Sequence, residues 1–392
     1  QIAYFDGPAG SQCPQAVIDA VAEYLATHNA NRGAPHATSR ETDGLMAEAH
    51  RAAADFLGAV DEHEIVFGPN MTSLTFALSR ALRRTWRSGD EVIVSRLDHD
   101  ANVTPWVLAA ESVGAEVRYI DVRLDDCTLD MDSFEAALSE RTKLVAVGYA
   151  SNVTGTINPV REIAARASSV GARCFVDAVH YAPHGRIDVR DIGCDFLVCS
   201  AYKFFGPHVG LLCGDTELLQ SLPVEKLRPA PSGSPDRWMT GTQNHEGIAG
   251  TLACIDYLAG IGCSMTGAQP ARREALGVAF ESIHQYETAL VRPLLEFLAG
   301  RRGVRVWGIT DPARRHERVP TVSITCDRQT PQELNRALAA EGLWTWAGNH
   351  YAVPFTEAAG LEPNGTLRIG LLHYNTADEV RRLIEALDRL LD

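Results

Sequence analysis

Short β-branched runs alternate with helical stretches through the first half of the chain. The β-branched runs lie at 64–68, 91–97, 115–122, 143–150, 173–179, 195–201 and 209–214. Helical patterns separate most of them, at 72–84, 102–113, 131–139 and 159–170. Such alternation is typical of an α/β fold, because each helix carries the chain back so that the next strand runs parallel to the last. The sequence therefore predicts a mostly parallel sheet covered by helices.

The second half of the chain predicts a smaller α+β unit. Residues 227–244 are rich in Pro, Gly and Ser and predict a loop, and 245–300 predict helix. Strands follow near 304–309 and 319–326, with helices at 331–341 and at the carboxy terminus, where Thr376 and Glu379 match a capping box. We expect three parts: an amino-terminal segment joining the small domain (1–15), a large domain (16–255) and a small carboxy-terminal domain (256–392).

Composition excludes several classes of protein. The 392 residues carry a net charge of −14, which argues against nucleic acid or an anionic membrane as the main partner. The sequence also suggests that no apolar stretch approaches the roughly 20 residues needed to cross a bilayer. The nine cysteines include no C-x-x-C pair and several lie in apolar runs, so we expect no metal site, no disulfide framework and a cytoplasmic location.

One lysine stands out in a chain that uses arginine almost everywhere else. Only three of the 36 basic residues are lysines, and Lys203 follows the apolar run 195–201 directly before a glycine turn. Asp177 ends the preceding run, so both side chains would reach the same sheet edge if the two strands are neighbours. A Schiff-base lysine and an acid beside a ring nitrogen are what pyridoxal phosphate requires of its protein. Taken singly, the lysine could stand there by chance and the aspartate could be a turn former or helix cap.

The turn after the first run of the sheet offers a place for a phosphate group. Residues 64–82 predict a strand, a Gly-Pro-Asn turn and a helix that starts near Met71, Thr72 and Ser73. Free N–H groups and hydroxyls at a helix start bind anions, and Ser200 could add a hydroxyl. An ordinary helix cap is the alternative. His99, after another run, could stack on a flat ring or be a surface or core residue.

Taken together, these motifs resemble one enzyme family. The stretch "FVDAVHYAPHGRIDVRDIGCDFLVCSAYKFFGPHVGLL" resembles the cofactor-lysine region of fold-type I pyridoxal-phosphate enzymes. It most resembles class V aminotransferases of the cysteine desulfurase and selenocysteine lyase group. Five further stretches fit in order: "NMTSLTFAL", "LDHDANVTPW", "SNVTGTINPV", "TGTQNHEGIAG" and "LRIGLLHYNTADEV". The resemblance implies an aspartate aminotransferase-like fold, pyridoxal 5′-phosphate as cofactor and an amino acid as substrate.

The resemblance also implies roles for individual residues. Lys203 would bind the cofactor covalently and later move the Cα proton, Asp177 would pair with the ring nitrogen, and His99 would stack on the ring. The phosphate would be bound by Met71, Thr72, Ser200, Tyr202 (where desulfurases carry histidine) and, from the other subunit of a homodimer, Thr242. The active sites would then lie at the subunit interface. Asn152 would lie near the ring oxygen and substrate, and Arg368 would hold the substrate carboxylate; without the family, Arg368 would be read as a solvated strand arginine.

Two departures from the family bear on the reaction. Tyr351 stands where desulfurases carry the cysteine that accepts sulfur, and His180 stands where they carry glutamine beside the ring oxygen. A phenol cannot replace a thiolate as sulfur acceptor. The aromatic residues around Tyr351 (Trp344, Trp346 and His350) either shape a pocket for a bulky or flat substrate or only fill a core.

We therefore expect β-elimination of the carbon–sulfur lyase type, without a persulfide cysteine. The alternatives are an aminotransferase or epimerase acting on a small or aromatic amino acid and, more weakly, a non-catalytic binding protein that kept the fold.

Overall fold

A computed structural model describes residues 2–391 and builds them around a seven-stranded sheet. The strands are β1 (Ala3–Tyr4), β2 (Ile65–Gly68), β3 (Glu91–Ser95), β4 (Glu116–Ile120), β5 (Val122–Arg123), β6 (Thr128–Leu129), β7 (Thr142–Gly148), β8 (Arg173–Asp177), β9 (Phe196–Ser200), β10 (Gly210–Gly214), β11 (Val304–Trp307), β12 (Thr321–Cys326), β13 (Leu343–Trp344), β14 (Trp346–Gly348) and β15 (Thr366–Gly370). All seven predicted runs of the first half form strands of the large sheet.

The helices fill the gaps that the sequence pattern predicts. They are α1 (Gln15–Glu23), α2 (Ala37–Leu57), α3 (Met71–Leu82), α4 (Thr104–Glu111), α5 (Met131–Ala137), α6 (Val160–Ser169), α7 (Val189–Ile192), α8 (Thr216–Ser221), α9 (His245–Thr266), α10 (Arg272–Ala299), α11 (Pro331–Ala340), α12 (Val353–Ala358) and α13 (Ala377–Leu391). The capping box predicted for α13 is present: Glu379 N–H donates to Thr376 Oγ1 at 3.2 Å, and Thr376 N–H donates to Glu379 Oε2 at 2.9 Å.

The large sheet has the strand order β2-β10-β9-β8-β7-β3-β4. Strands β4, β3, β7, β8 and β9 pair in parallel, whereas β10 pairs antiparallel with both of its neighbours. The predicted mostly parallel α/β sheet is thereby confirmed. Because β8 and β9 are adjacent and parallel, the side chains that follow them emerge at the same edge of the sheet.

A four-stranded antiparallel sheet, β11-β12-β15-β14, forms the second part of the chain. It packs with α10, α11 and α13 around a second hydrophobic core, which also receives Ala3 and Phe5 from the amino terminus. Helix α10 contributes to both cores, with Ala275 to Ile283 in the first and Leu290 to Leu298 in the second. The predicted boundary between 255 and 256 falls inside α9 and stays, with the other boundaries, a prediction.

Helix α9 corrects the expectation that no apolar stretch is long enough to cross a bilayer. Its 22 residues pass that test by length and composition, although half of the apolar window is buried inside the fold. The helix packs against α1, α2 and α10, and Gly262 lets the backbone of α10 approach, since a Cβ there would lie 1.9 Å from Ala275 O. This apolar surface is therefore used in packing between helices, and the absence of a membrane partner stays a prediction.

Candidate active site

Lys203 and Asp177 face one cavity at the carboxyl edge of the large sheet. Asp177 is the last residue of β8, and Lys203 ends a short 3₁₀ turn directly after β9. The cavity measures about 540 Å³. Nine of the twelve predicted site residues line it: Met71, Thr72, His99, Asn152, Asp177, His180, Ser200, Tyr202 and Lys203. The structure thus brings together residues that lie up to 132 positions apart in the sequence.

The Lys203 amine is enclosed by polar groups from distant parts of the chain. Its Nζ donates a hydrogen bond to the carbonyl of Pro8 and lies 5.1 Å from the centre of the Tyr202 ring. Burial, with a contribution from the nearby charge of Arg368, lowers the pKa of Lys203 to about 7. An amine with this pKa is largely neutral just above pH 7 and can then attack a carbonyl carbon.

Asp177 presents one oxygen to the protein and one to the cavity. Its Oδ1 accepts a hydrogen bond from Val179 N–H at 2.9 Å, whereas Oδ2 has no partner within residues 2–391. Burial raises the pKa of Asp177 to about 6, although the Val179 hydrogen bond and the Lys203 charge oppose the shift. The carboxyl group is therefore mostly ionised at pH 7 and can pair with a cationic ring nitrogen.

The start of α3 forms an anion cradle at one end of the cavity. Ser200 Oγ accepts from Met71 N–H at 2.9 Å, and Asn70 Oδ1 accepts from Ser73 N–H at 2.9 Å. These contacts fix the first helical turn, in which the N–H of Thr72 has no partner in the part of the chain that the structure describes. The Thr72 hydroxyl has only a weak contact with Met71 Sδ, at 3.9 Å. Both groups of Thr72 are thus free to bind an anion.

His99 is held between the cavity and Tyr351. Its ring stacks on that of Tyr351, with centroids 5.4 Å apart and planes 14° apart, and its Nδ1 accepts from Ala101 N–H at 3.0 Å. Burial, and then the charge of Lys203, lowers the pKa of His99 to about 4, so the ring is neutral at pH 7. Tyr351 itself is 71% exposed and adopts φ of 58°, after His350 with φ of 56°. Tyr351 lies at the mouth of the site rather than in the cavity wall.

Asn152 connects the cavity to Arg368. Asn152 Nδ2 donates to His350 O at 2.7 Å, and its buried Oδ1 has no hydrogen-bond partner among the described residues. Arg368 Nη1 donates to Asn152 O at 3.0 Å and Nη2 donates to Asp6 Oδ1 at 3.3 Å, whereas Nε has no partner within residues 2–391. Arg368 is buried behind the cavity wall, so the alternative of a solvated strand arginine is wrong. Arg368 is not among the residues that line the cavity, so its contact with a substrate carboxylate stays a prediction.

Thr242 is the one predicted cofactor residue that lies away from the cavity in this chain. It lines a separate pocket of about 460 Å³ together with Arg32, Lys226 and Gln243. The expected contact of Thr242 with the phosphate is therefore not made within one chain and would require a second copy.

The chain matches known proteins over almost its full length. The family model for class V aminotransferases matches residues 3–383. The chain belongs to the class V aminotransferase family. Cysteine desulfurase from Pectobacterium carotovorum is 32% identical over 99% of this chain and 93% of its own length. A probable cysteine desulfurase from Mycobacterium leprae is 33% identical, over 100% of this chain and 92% of its own length.

Solved structures agree with this family membership. The structure of a cysteine desulfurase from Thermococcus onnurineus superposes with a TM-score of 0.88 at 27% identity, covering 100% of this chain and 94% of the other. One from Escherichia coli gives 0.85 at 25% identity, covering 99% and 95%. As a class V aminotransferase family member the chain is a pyridoxal-phosphate-dependent enzyme, and the alternative of a non-catalytic binding protein falls away.

Four residues of this class V site escaped the sequence reasoning. Asp98 is buried in the cavity wall, where Gly148 N–H and Asn102 Nδ2 each donate to it at 2.8 Å, and burial raises its pKa to about 7. Asp98 directly precedes His99 in "LDHDANVTPW", and this position next to a predicted site residue could have indicated it. His208 also lines the cavity and stacks on Tyr202, with centroids 5.0 Å apart. Asp6 and Pro8 reach the site only through folding of the amino terminus.

Proposed function

We propose that the protein is a carbon–sulfur lyase that eliminates the β-substituent of cysteine or of an S-substituted cysteine, without a persulfide cysteine. The observation that carries this proposal is the make-up of the cavity. It holds a depressed-pKa lysine opposite an ionised aspartate, and none of the nine cysteines lines it. The relatives are named cysteine desulfurases, which supports sulfur-containing amino acids as the substrate class.

The free polar groups of the cavity match the parts of pyridoxal phosphate. The Thr72 N–H and hydroxyl would bind the phosphate, and Asp177 Oδ2 would pair with the ring nitrogen. Lys203 would join the aldehyde. His99, which lines the cavity and is stacked on Tyr351, would stack on the cofactor ring. Met71, Ser200 and Tyr202 would complete the phosphate cradle, and His208 offers an imidazole beside Tyr202, where desulfurases carry histidine. The residues present therefore fit the group.

The reaction follows from these positions. When bound, the cofactor withdraws electrons from the substrate Cα and so weakens the Cα–H bond. Lys203, neutral near pH 7, takes that proton as general base. The Cβ–S bond then breaks with its electron pair leaving on sulfur, the thiolate takes up a proton, and hydrolysis of the three-carbon fragment gives pyruvate and ammonia.

Arg368 and Asn152 would orient the substrate. The unpaired Nε of Arg368 would donate to the α-carboxylate, and the unpartnered Oδ1 of Asn152 would accept from the amino group. Both atoms are buried, so leaving them unpaired costs free energy that a bound substrate would recover. Tyr351, stacked on His99 at the mouth, would limit access of water and set the size of the β-substituent.

The cysteines support elimination over sulfur relay. Cys13 is the exposed one, and burial of its thiol raises its pKa while Sγ lies against Gly206 O at 3.3 Å. A thiol with a raised pKa is a weak nucleophile at pH 7. Tyr351 stands at the loop position where desulfurases carry their cysteine, so this loop offers no thiolate to accept the leaving sulfur. We expect Cys13→Ser to leave turnover unchanged.

A second candidate is transamination or epimerisation of a small or aromatic amino acid. The rings of Trp344 and Trp346 are 43% and 54% exposed, so they do not fill a core, but neither lines the cavity and this candidate rests on the family membership alone. In that case Lys203 would return the proton to the cofactor carbon or to the substrate carbon, and no thiolate would leave.

We also propose a homodimer that places Thr242 of one subunit at the phosphate of the other, and a cytoplasmic location.

The deciding experiment supplies the holoenzyme with cysteine, with S-methyl- and S-benzyl-cysteine, and with alanine plus a keto acid. Elimination predicts pyruvate and ammonia in equal amounts, together with one equivalent of sulfide from cysteine or of the thiol from an S-substituted cysteine. Transfer of nitrogen to the keto acid without thiol release would reject the lyase proposal, and loss of optical activity without either product would indicate epimerisation.

The depressed pKa of Lys203 predicts the pH dependence of cofactor capture. Because only the neutral amine attacks the aldehyde, the capture rate of the cofactor-free protein rises through pH 7 and levels off above about pH 8. An ordinary lysine would give a rate that rises until about pH 10. The measurement is stopped-flow appearance of the visible absorbance between pH 5.5 and 9.5.

Arg368→Gln is the matched comparison for this pH profile. Removing a positive charge that lowers the pKa of Lys203 shifts the midpoint of the capture rate upward. The free cofactor also ionises in this pH range, but it does so equally in both experiments. Dividing the capture rate of Arg368→Gln by that of the wild type at each pH therefore removes its effect. A wild-type rate that keeps rising tenfold per pH unit to pH 9.5 would contradict the depressed pKa.

A further inference from the structure

His180 is connected to the second sheet by a single buried hydrogen bond. It follows Asp177 by three positions, lines the cavity and is 5% exposed. Its Nε2 lies 2.9 Å from Oγ1 of Thr321, the first residue of β12, which is 141 positions away and fully buried. The desulfurases that this chain resembles usually carry glutamine at this position, so a titratable imidazole stands here where they have an amide.

The surroundings of Thr321 fix which atom donates. Within residues 2–391 the Thr321 hydroxyl has no hydrogen-bond partner other than His180 Nε2. If the imidazole donated instead, the hydroxyl proton would be buried without an acceptor, which is unfavourable by as much as a lost hydrogen bond. The hydroxyl therefore donates to Nε2. A neutral imidazole whose Nε2 accepts carries its proton on Nδ1.

Burial, and then the charges around His180, keep its ring neutral. His184 contacts its ring edge, with centroids 5.7 Å apart, and is itself paired with Glu287 at 2.7 Å. Lys203, Arg368 and His99 face it from the other elements of the site, and each of them, when protonated, disfavours a positive charge on His180. Burial is the main cause that holds the pKa of His180 well below its ordinary value, although Asp177 lies three positions before it.

The second ring nitrogen of His180, Nδ1, faces the cavity. Nε2 is directed at β12, and Nδ1 has no partner within the described chain, although the residue lines the cavity that Lys203 and Asp177 share. We propose that Thr321 is a positioning residue that holds His180 as the Nδ1–H tautomer, so that this N–H donates to the oxygen substituent of the cofactor ring. The inference rests on the proposed placement of the ring between Lys203 and Asp177.

This arrangement has a measurable effect on the bound cofactor. A donated N–H stabilises negative charge on the ring oxygen, so the bound cofactor loses its proton at a lower pH. Thr321→Val keeps the shape of the side chain but removes the hydroxyl, and the imidazole is then free to turn a lone pair toward the ring oxygen. The pH midpoint of the visible absorbance of the holoenzyme should rise by about one unit.

Two further variants separate this effect from a general loss of packing. Thr321→Ser keeps the hydroxyl and should restore the wild-type midpoint. Thr325 lies on the same strand and accepts a hydrogen bond from the buried Trp307 Nε1 at 3.1 Å. The variant Thr325→Val removes that acceptor. It should therefore lower stability without moving the midpoint.

A second readout needs no cofactor. Nitrogen-15 spectra of the cofactor-free protein, with the His180 signal assigned from His180→Gln, should show the Nδ1–H tautomer in the wild type and in Thr321→Ser, and a changed tautomer ratio in Thr321→Val. A wild-type Nε2–H tautomer, or equal midpoints in Thr321→Val and the wild type, would overturn the inference. If no visible absorbance forms in the wild type, the proposed cofactor placement fails instead, whatever the tautomer.

Discussion

Lys203→Arg should abolish the covalent attachment of the cofactor and lower turnover by about 10⁴-fold or more. The guanidinium keeps the positive charge, but it cannot lose its proton at accessible pH and so cannot attack the aldehyde or take the Cα proton. The visible absorbance of the bound cofactor, which depends on the covalent link, should be lost with it. Absorbance after gel filtration and single-turnover rates measure both effects.

The control for this variant is another of the three lysines. Lys143 lies at the start of β7 and is paired with Asp90 at 3.7 Å, far from the cavity lining. Lys143→Arg should therefore keep full colour and full activity. Covalently bound colour that persists in Lys203→Arg would show that another amine holds the cofactor, and the assignment of the site would then be wrong.

Asp177→Asn should keep cofactor binding but lower turnover by about 10²- to 10⁴-fold. The amide oxygen can still accept from Val179 N–H, so the fold of the turn is preserved. What is lost is the negative charge beside the ring nitrogen, and with it the protonated ring that draws electrons from the substrate. The pKa of Asp177 is about 6 without the cofactor, and a cationic ring nitrogen beside the carboxylate would lower it, so the difference between variant and wild type should persist at pH 6.

Asp195→Asn is the matched control, because Asp195 precedes β9 at the opposite end of the same strands. Its oxygens pair with Arg173 at 2.6 Å and accept from Cys174 N–H at 2.8 Å. We expect it to affect stability but not turnover. Near-wild-type turnover in Asp177→Asn would remove the argument that a charged carboxylate supports the ring, even if the cofactor were bound.

The position of Lys203 and Asp177 at one edge of the sheet could be predicted, because it depends on the local sequence pattern and on one general rule. Apolar runs of strand length, separated by helical stretches, give adjacent parallel strands, and the residues that end such strands meet at one edge. The sequence also offered Ser200 as a further hydroxyl for the helix start at Thr72, and the fold brings the two residues to one cavity because β2 and β9 both flank β10. It also predicted the start of α13 from Thr376 and Glu379.

Other contacts of the site have no local signal. The Pro8 carbonyl meets Lys203 across 195 positions, and Asp6 meets Arg368 across 362. Asp6 and Pro8 lie in the segment after β1, which is anchored when Ala3 and Phe5 enter the second core. The expectation that no apolar stretch is long enough to cross a bilayer overlooked α9, whose composition passes that test because burial between helices and burial in lipid favour the same residues.

The order of the elements, the sheet and the lysine–aspartate pair were determined by the sequence itself, because strand and helix periodicity and the ends of parallel strands are local properties. Only the tertiary structure decided that Tyr351 stacks on His99, that Arg368 keeps a free Nε, and that Thr321 hydrogen-bonds to His180. These contacts join the second sheet and its loops to the first. They depend on how two cores pack against each other, and residue periodicity carries no information about that packing.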